Sequence, residues 1–143
     1  MNSSSRTLGR SKFESEIQVR PDDIDMFQHV HNSRYFDYVL AARFDQMGRC
    51  YKMTIEEFVK AGYGWYVATA HMEYRRPLKL GNSMIVRTWV DEITEKGVKV
   101  RFEIWRKDSD AVSCDGYFDY VLVSLKTGRG ELIPDWILDK CSI

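Results

Sequence analysis

The sequence is poor in the features that mark several large classes of protein. It has three cysteines, Cys50, Cys114 and Cys141, odd in number and widely spaced. No CxxC pair occurs, so the ligand spacing of a structural zinc site is absent, and any disulfide scheme leaves one thiol over. Reduced thiols in a reducing compartment, and hence a cytoplasmic protein, are expected. No apolar run approaches the roughly 18 residues that a membrane span needs. The opening segment, MNSSSRTLGRS, lacks the apolar stretch of a secretory signal. It is expected to be a disordered leader over residues 1–11, with 12–143 as a single domain. An excess of one charge is also missing. Lys+Arg and Asp+Glu stand at 21 each, which gives no general field for nucleic acid or a membrane surface. Neither GxSxG, GxGxxG nor a Walker sequence is present, so no serine elbow and no nucleotide-type cofactor site is expected.

What is present is a well-patterned core. Hydrophobic residues make up 44% of the chain, enough for a packed domain. From Phe13 to Arg20 the sequence alternates, with Phe13, Ser15, Ile17 and Val19 on one face and Glu14, Glu16, Gln18 and Arg20 on the other. That period of two marks a half-buried strand. Pro21-Asp22-Asp23 breaks it. The segment 33–47 reads as a helix, capped by Asn32 or Ser33 and ended by Gly48. Its polar stripe is narrow (Arg34, Asp37, Ala41, Asp45), so the helix should be wrapped rather than laid on a surface. Thr54 and Glu57 have capping-box spacing and open a shorter helix.

Residues 65–125 read as four strands, with breaks at Pro77–Asn82, Glu95–Gly97 and the KDSD turn at 107–110. Pro134 to Lys140 suits a short terminal helix. The order predicts an α+β domain: a long central helix wrapped by a curved antiparallel sheet of about five strands, the last four in a meander. Its open edges invite pairing with a second copy.

The densest reactive cluster is Asp22-Asp23-Ile24-Asp25-Met26-Phe27-Gln28-His29-Val30-His31-Asn32, just before the long helix. A carboxylate beside the unpaired N–H groups of a helix start combines a base or nucleophile with donors for a developing oxyanion. The same residues also make ordinary turn and cap chemistry, and the pattern alone leaves both readings open. His29 and His31 lack a third ligand at a readable spacing, so no metal is expected.

These residues resemble the first motif of the hot-dog thioesterases of the 4-hydroxybenzoyl-CoA type. That motif is D-x-D, then Q-H-V-x-N-x-x-Y, met here as Asp23-Ile24-Asp25, Gln28-His29-Val30, Asn32 and Tyr35. A second stretch, MEYRRPLKLGNSMIV (72–86), resembles the family's next strand pair. The resemblance implies a hot-dog fold and hydrolysis of a fatty or aryl acyl-CoA. It assigns Asp25 as the catalytic carboxylate, acting as nucleophile or general base, and the Asn32 backbone N–H as the oxyanion donor, with His29 in a lesser role. Ser33, Tyr35 and Lys96 are the implied substrate contacts, with Arg75, Arg76 and Lys79 as candidates to make up for an arginine pair that the family has and this chain lacks, and the site is implied to lie between subunits of a homo-oligomer. The hydroxybenzoyl branch has two arginines before the lysine of a later turn, where this chain has Thr94-Glu95-Lys96. Plant acyl-ACP thioesterases have an asparagine where this chain has Phe27. An acyl-ACP thioesterase and a non-catalytic acyl-binding module are the alternatives; a hot-dog dehydratase would need an H-x-x-x-x-P-G context that is missing.

Overall fold

The computed structural model describes residues 11–142, so the expected leader lies almost wholly outside the described residues. Strand β1 (Phe13–Gln18) follows the alternation, with Ser15 and Val19 turned inward and Glu14, Glu16 and Gln18 exposed. A 3-10 turn at Pro21–Asp23 and the acidic loop lead to a second 3-10 turn, Asn32–Arg34, which runs directly into α1 (Tyr35–Arg49). Helix α2 (Ile55–Ala61) carries the capping box at Thr54 and Glu57 and ends at Gly62, whose φ of 89° is one that glycine tolerates without strain. Strands β2 (Tyr63–Tyr74), β3 (Ser83–Ile93), β4 (Gly97–Arg106) and β5 (Ala111–Ser124) follow, and then α3 (Asp135–Cys141).

The five strands make one antiparallel sheet in the order β1-β3-β4-β5-β2, curved around α1. Only β3, β4 and β5 form the expected meander. Strand β2 pairs with β5, from Tyr63↔Ser124 to Tyr74↔Cys114, and not with its successor β3. Residues 75–82 cross the end of the sheet instead. Alternation tells which face of a strand is buried, and it carries no information about the neighbouring strand. Close approach of β5 to β2 depends on Gly116, because a Cβ there would run into the His71 backbone carbonyl.

Helix α1 lays Tyr35, Tyr38, Val39, Ala42 and Met47 into a core shared with Met84, Val86, Phe102, Ile104 and Phe118. Two polar residues go in with them, Arg43 and Gln46. The Gln46 amide donates to the Ser15 hydroxyl at 3.1 Å and to the Val86 carbonyl at 3.3 Å, and accepts from Thr88. These bonds tie α1 to β1 and β3. The helix is less enclosed than its sequence suggests: Ala41 and Asp45 face solvent, and Phe44 is 60% exposed. The sheet covers one side of α1 only.

Gly48 does not end the helix. Both the Cys50 and the Tyr51 N–H donate to the Gln46 carbonyl, which carries α1 through Arg49. The left-handed residue comes later, at Lys52 (φ 58°), between the buried Tyr51 and Met53. Burial of those two side chains sets the exit of the chain, overriding the glycine. The helix start also differs. His31 is the cap of the helical run, its Nδ1 accepting from the Ser33 N–H at 3.2 Å, because the 3-10 turn adds a turn ahead of α1.

Candidate active site

Two aspartates two residues apart have different surroundings. Asp23 is buried, and its carboxylate accepts from the Tyr38 hydroxyl at 2.7 Å and from Arg20 Nε at 3.0 Å, with Arg34 Nε at 3.5 Å. Burial pushes the Asp23 carboxyl up, but hydrogen bonds from Tyr38 and Arg20 and the charges of Arg20 and Arg34 more than offset it, holding the group below the usual carboxylate range. Asp23 also receives the His31 N–H on its carbonyl. It is a post that joins the loop to α1.

Asp25 is half-buried and heads a tight turn. Its Oδ1 accepts from the Phe27 N–H at 2.8 Å and the His29 N–H at 3.1 Å. Its backbone N–H donates to the His29 carbonyl, and its carbonyl accepts from the Gln28 N–H. Gln28 pays for the turn with a left-handed φ of 64°. One carboxylate oxygen is thus fixed by two amides, while no hydrogen bond among the described residues reaches Oδ2. The turn is docked on the 75–82 crossing by the Val30 N–H to Leu78 carbonyl bond and a bridge between His29 and Lys79. Its tip exposes Met26 (87%) and Phe27 (72%).

The helix start lies beside this turn. The Asn32 carbonyl accepts from the Tyr35 N–H and from the Tyr74 hydroxyl at 3.2 Å. The N–H groups of His31, Ser33 and Arg34 are bonded to Asp23, His31 Nδ1 and the His31 carbonyl. Asn32 N–H has no such bond among the described residues, and it sits at the positive end of the helical run. Tyr35 is 2% exposed, and its hydroxyl accepts from the Leu78 N–H at 3.1 Å. Burial, with the nearby Asp25 charge adding a smaller push, raises the Tyr35 phenol. Tyr35 is therefore enclosed behind the site, where its ring meets that of Tyr74 edge-on at 5.4 Å, and it offers no surface to a substrate.

The crossing after β2 brings Arg75 and Arg76 close to this end of the molecule, their N–H groups bonded to the Ser113 carbonyl. Arg75 is exposed and paired with Asp115 at 2.8 Å. Arg76 is exposed. Lys96 is not brought to the site of its own chain. It sits in the β3–β4 turn, at the end of the sheet opposite the β1–β3 pair Gln18↔Ser83, beyond about 30 Å of strand at 3.3 Å per residue. The sequence analysis assigns no role to Tyr74 and no capping role to His31. The run Tyr74-Arg75-Arg76-Pro77, where proline must end the strand, is the available signal for Tyr74.

The Cys114 and Cys141 thiols are poor nucleophiles, since burial pushes Cys114 up to about 12 and Cys141 up to about 11. Among the described residues no group of three or more His, Cys, Asp or Glu side chains is arranged to hold a metal ion. The loop that leads into the helix start thus carries one half-buried carboxylate, Asp25, with an oxygen free of hydrogen bonds among the described residues.

A family model described as the thioesterase-like superfamily matches residues 19–141. The chain belongs to that superfamily. It is a thioester hydrolase with the hot-dog fold. It is 24% identical over 127 residues to the long-chain acyl-CoA thioesterase FadM of Escherichia coli (strain K12), covering 89% of this chain and 95% of that protein. Slr0204, a 1,4-dihydroxy-2-naphthoyl-CoA thioesterase from Synechocystis, shares the fold at a TM-score of 0.82 and 16% identity, over 93% and 98% of the two chains. The protein SAV2348 from Staphylococcus aureus, solved in complex with CoA, aligns at a TM-score of 0.83 and 15% identity, over 92% of this chain and 82% of its own. No described helix is long and apolar enough to cross a membrane.

Proposed function

We propose that this thioester hydrolase acts on acyl-CoA, with Asp25 as its catalytic carboxylate. The observation that carries the reading is the asymmetry of that carboxylate, Oδ1 held by two backbone amides and Oδ2 left uncommitted. Oδ2 either attacks the thioester carbonyl, giving a mixed anhydride that water then cleaves to free acid and Asp25, or takes the proton from a water that attacks the carbonyl directly. The Asn32 N–H, reinforced by the helix dipole, receives the negative charge that develops on the carbonyl oxygen. The CoA thiolate then leaves with little need of a proton donor. Ser33 lines the entry beside Asn32, and His29 serves through its backbone, which sets the Asp25 turn. Arg76 and, to a lesser degree, Arg75 meet the CoA phosphates.

The working unit is a homo-oligomer. Strand β2 is a 12-residue edge with exposed residues on both faces, and Met26, Phe27 and Tyr66 add exposed apolar surface nearby. Pairing along β2 leaves the active site between subunits.

The test is free-thiol release from a panel of acyl-CoAs by wild type and Asp25→Asn. Asparagine keeps the Oδ1 acceptor and hence the turn, so turnover should fall by about 10²-fold or more while the fold persists. A variant with near-normal rates removes Asp25 from the mechanism. Uniformly absent turnover by the wild type on acyl-CoA, with release from acyl-ACP, moves the substrate to the protein carrier.

A further inference from the structure

Helix α1 carries a charge that the fold does not neutralise. Arg43 is 9% exposed, and its Nε and Nη1 are enclosed without any hydrogen-bond partner. Its guanidinium lies over two rings, 5.2 Å from the Tyr51 centroid and 5.8 Å from that of Tyr120. The Tyr51 and Tyr120 hydroxyls also lie within electrostatic reach of the guanidinium, yet Nε and Nη1 close no hydrogen bond of good geometry. Enclosing a guanidinium is costly unless hydrogen-bond acceptors meet its N–H groups.

The same residue lines an otherwise apolar pocket of about 470 Å³ between α1, α2 and the start of β2. Leu40, Phe44, Met47, Phe58, Val59 and Trp65 supply most of its wall. A second, small cavity of about 10 Å³ separates Arg43 from Tyr51 and Cys141. It has room for one water, whose two lone pairs do not match the three N–H bonds of Nε and Nη1. Nη2 is not enclosed with them and makes no hydrogen bond among the described residues, so it is the nitrogen that an acceptor in the large pocket can meet.

The pocket is also aligned with the reaction site. Residues 36, 40, 44 and 47 lie on one stripe of α1, so the wall formed by Leu40, Phe44 and Met47 continues the line of Phe36, in the first turn after the 3-10 turn that holds Asn32 and Ser33. From Asn32 to Arg43 the helical run advances about 16 Å at 1.5 Å per residue. An extended chain with C–C bonds near 1.5 Å covers that distance with roughly 12 to 13 carbons.

We propose that the preferred substrates are acyl thioesters whose acyl chain ends in a carboxylate, with the methylenes in this pocket and the distal carboxylate on Arg43. The proposal rests on the acyl-CoA reading above and deepens it. Apolar walls take the chain, and the buried fork takes the carboxylate, in a place where water competes little for either.

Two measurements test it. The first compares kcat/KM for dodecanedioyl-CoA and dodecanoyl-CoA in wild type, Arg43→Met and Arg43→Lys. Wild type should favour the dicarboxylic ester by about 10-fold or more, the worth of a desolvated charge-assisted pair. Arg43→Met should lose that preference, mainly through a higher KM for dodecanedioyl-CoA, and keep its rate on dodecanoyl-CoA. Arg43→Lys should retain part of the preference. Equal rates on both esters in the wild type, or a ratio that Arg43→Met leaves unchanged, overturns the proposal. The second measurement is calorimetric binding of dodecanoate against dodecanol, which needs no turnover. Carboxylate binding at least about 10-fold tighter, and abolished in Arg43→Met, supports the site even if no CoA ester is cleaved and the acyl-CoA reading fails. Equal binding of the two overturns it.

Discussion

The Tyr38 hydroxyl donates to the Asp23 carboxylate at 2.7 Å, across the seam between the acidic loop and α1. This bond gives the two aspartates of the D-x-D motif different work. Asp23 is consumed by the fold, and Asp25 is left with an oxygen to use.

Tyr38→Phe should cost about 1–3 kcal/mol, because the buried carboxylate loses a donor and gains no other. Urea unfolding measures it. The pH dependence has a fixed sign. The folded Asp23 carboxyl titrates below its ordinary value of 3.8, so its contribution is complete above about that pH and is lost as pH falls through the lower, folded value. Tyr38→Phe should raise the folded value, narrow that gap and shrink the acid-sensitive part of the stability. An unchanged acid limb in the variant contradicts this assignment.

Gln46→Leu should destabilise by about 2–3 kcal/mol although leucine is the more hydrophobic residue. It strands the Thr88 hydroxyl in the core and removes the donor that reaches the Ser15 hydroxyl. Equal or greater stability in thermal melts would mean that the network adds nothing.

Arg76→Ala should raise KM for acyl-CoA about 5- to 10-fold with kcat little changed, since a phosphate contact far from the reacting bond supplies uniform binding. Arg75→Ala should do less, because its guanidinium is held by Asp115. The difference should shrink at high salt. Steady-state kinetics at two ionic strengths checks both statements.

Gly116→Ala should lower the melting temperature by at least about 8 °C, or abolish soluble expression, since the His71 carbonyl occupies the space a methyl needs. A normal melting curve would show that β2 can move away from β5 at little cost.

Sedimentation should give a mass of at least about twice the 16.8 kDa of the chain. Tyr66→Glu, on the exposed edge strand, should shift the species towards monomer and lower turnover with it. A fully active monomer would refute a shared site.

Much of this architecture was legible in the sequence. The alternation in β1, the Thr54–Glu57 box and the KDSD turn are local rules, and each is found where the residues put it. The motif likewise pointed to the loop before α1. Relations between distant segments were less legible. Nothing in the alternation of β2 says that its partner is β5. Gly48 looked like a stop because the pull of Tyr51 and Met53 on the core comes from tertiary packing. Arg43 and Gln46 break the apolar face of α1, and only their surroundings separate a satisfied amide from an unsatisfied guanidinium. Lys96 was matched by motif, and only the sheet topology shows how far it stands from Asp25.

That separation has a genetic consequence. In the homo-oligomer proposed above, two copies joined antiparallel through β2 would bring the Lys96 end of each against the Asp25 end of the other, and each centre would draw on two chains. Chains with different lesions, one Asp25→Asn and the other Lys96→Ala, should then give more turnover mixed than apart, because one centre of each mixed pair inherits neither lesion.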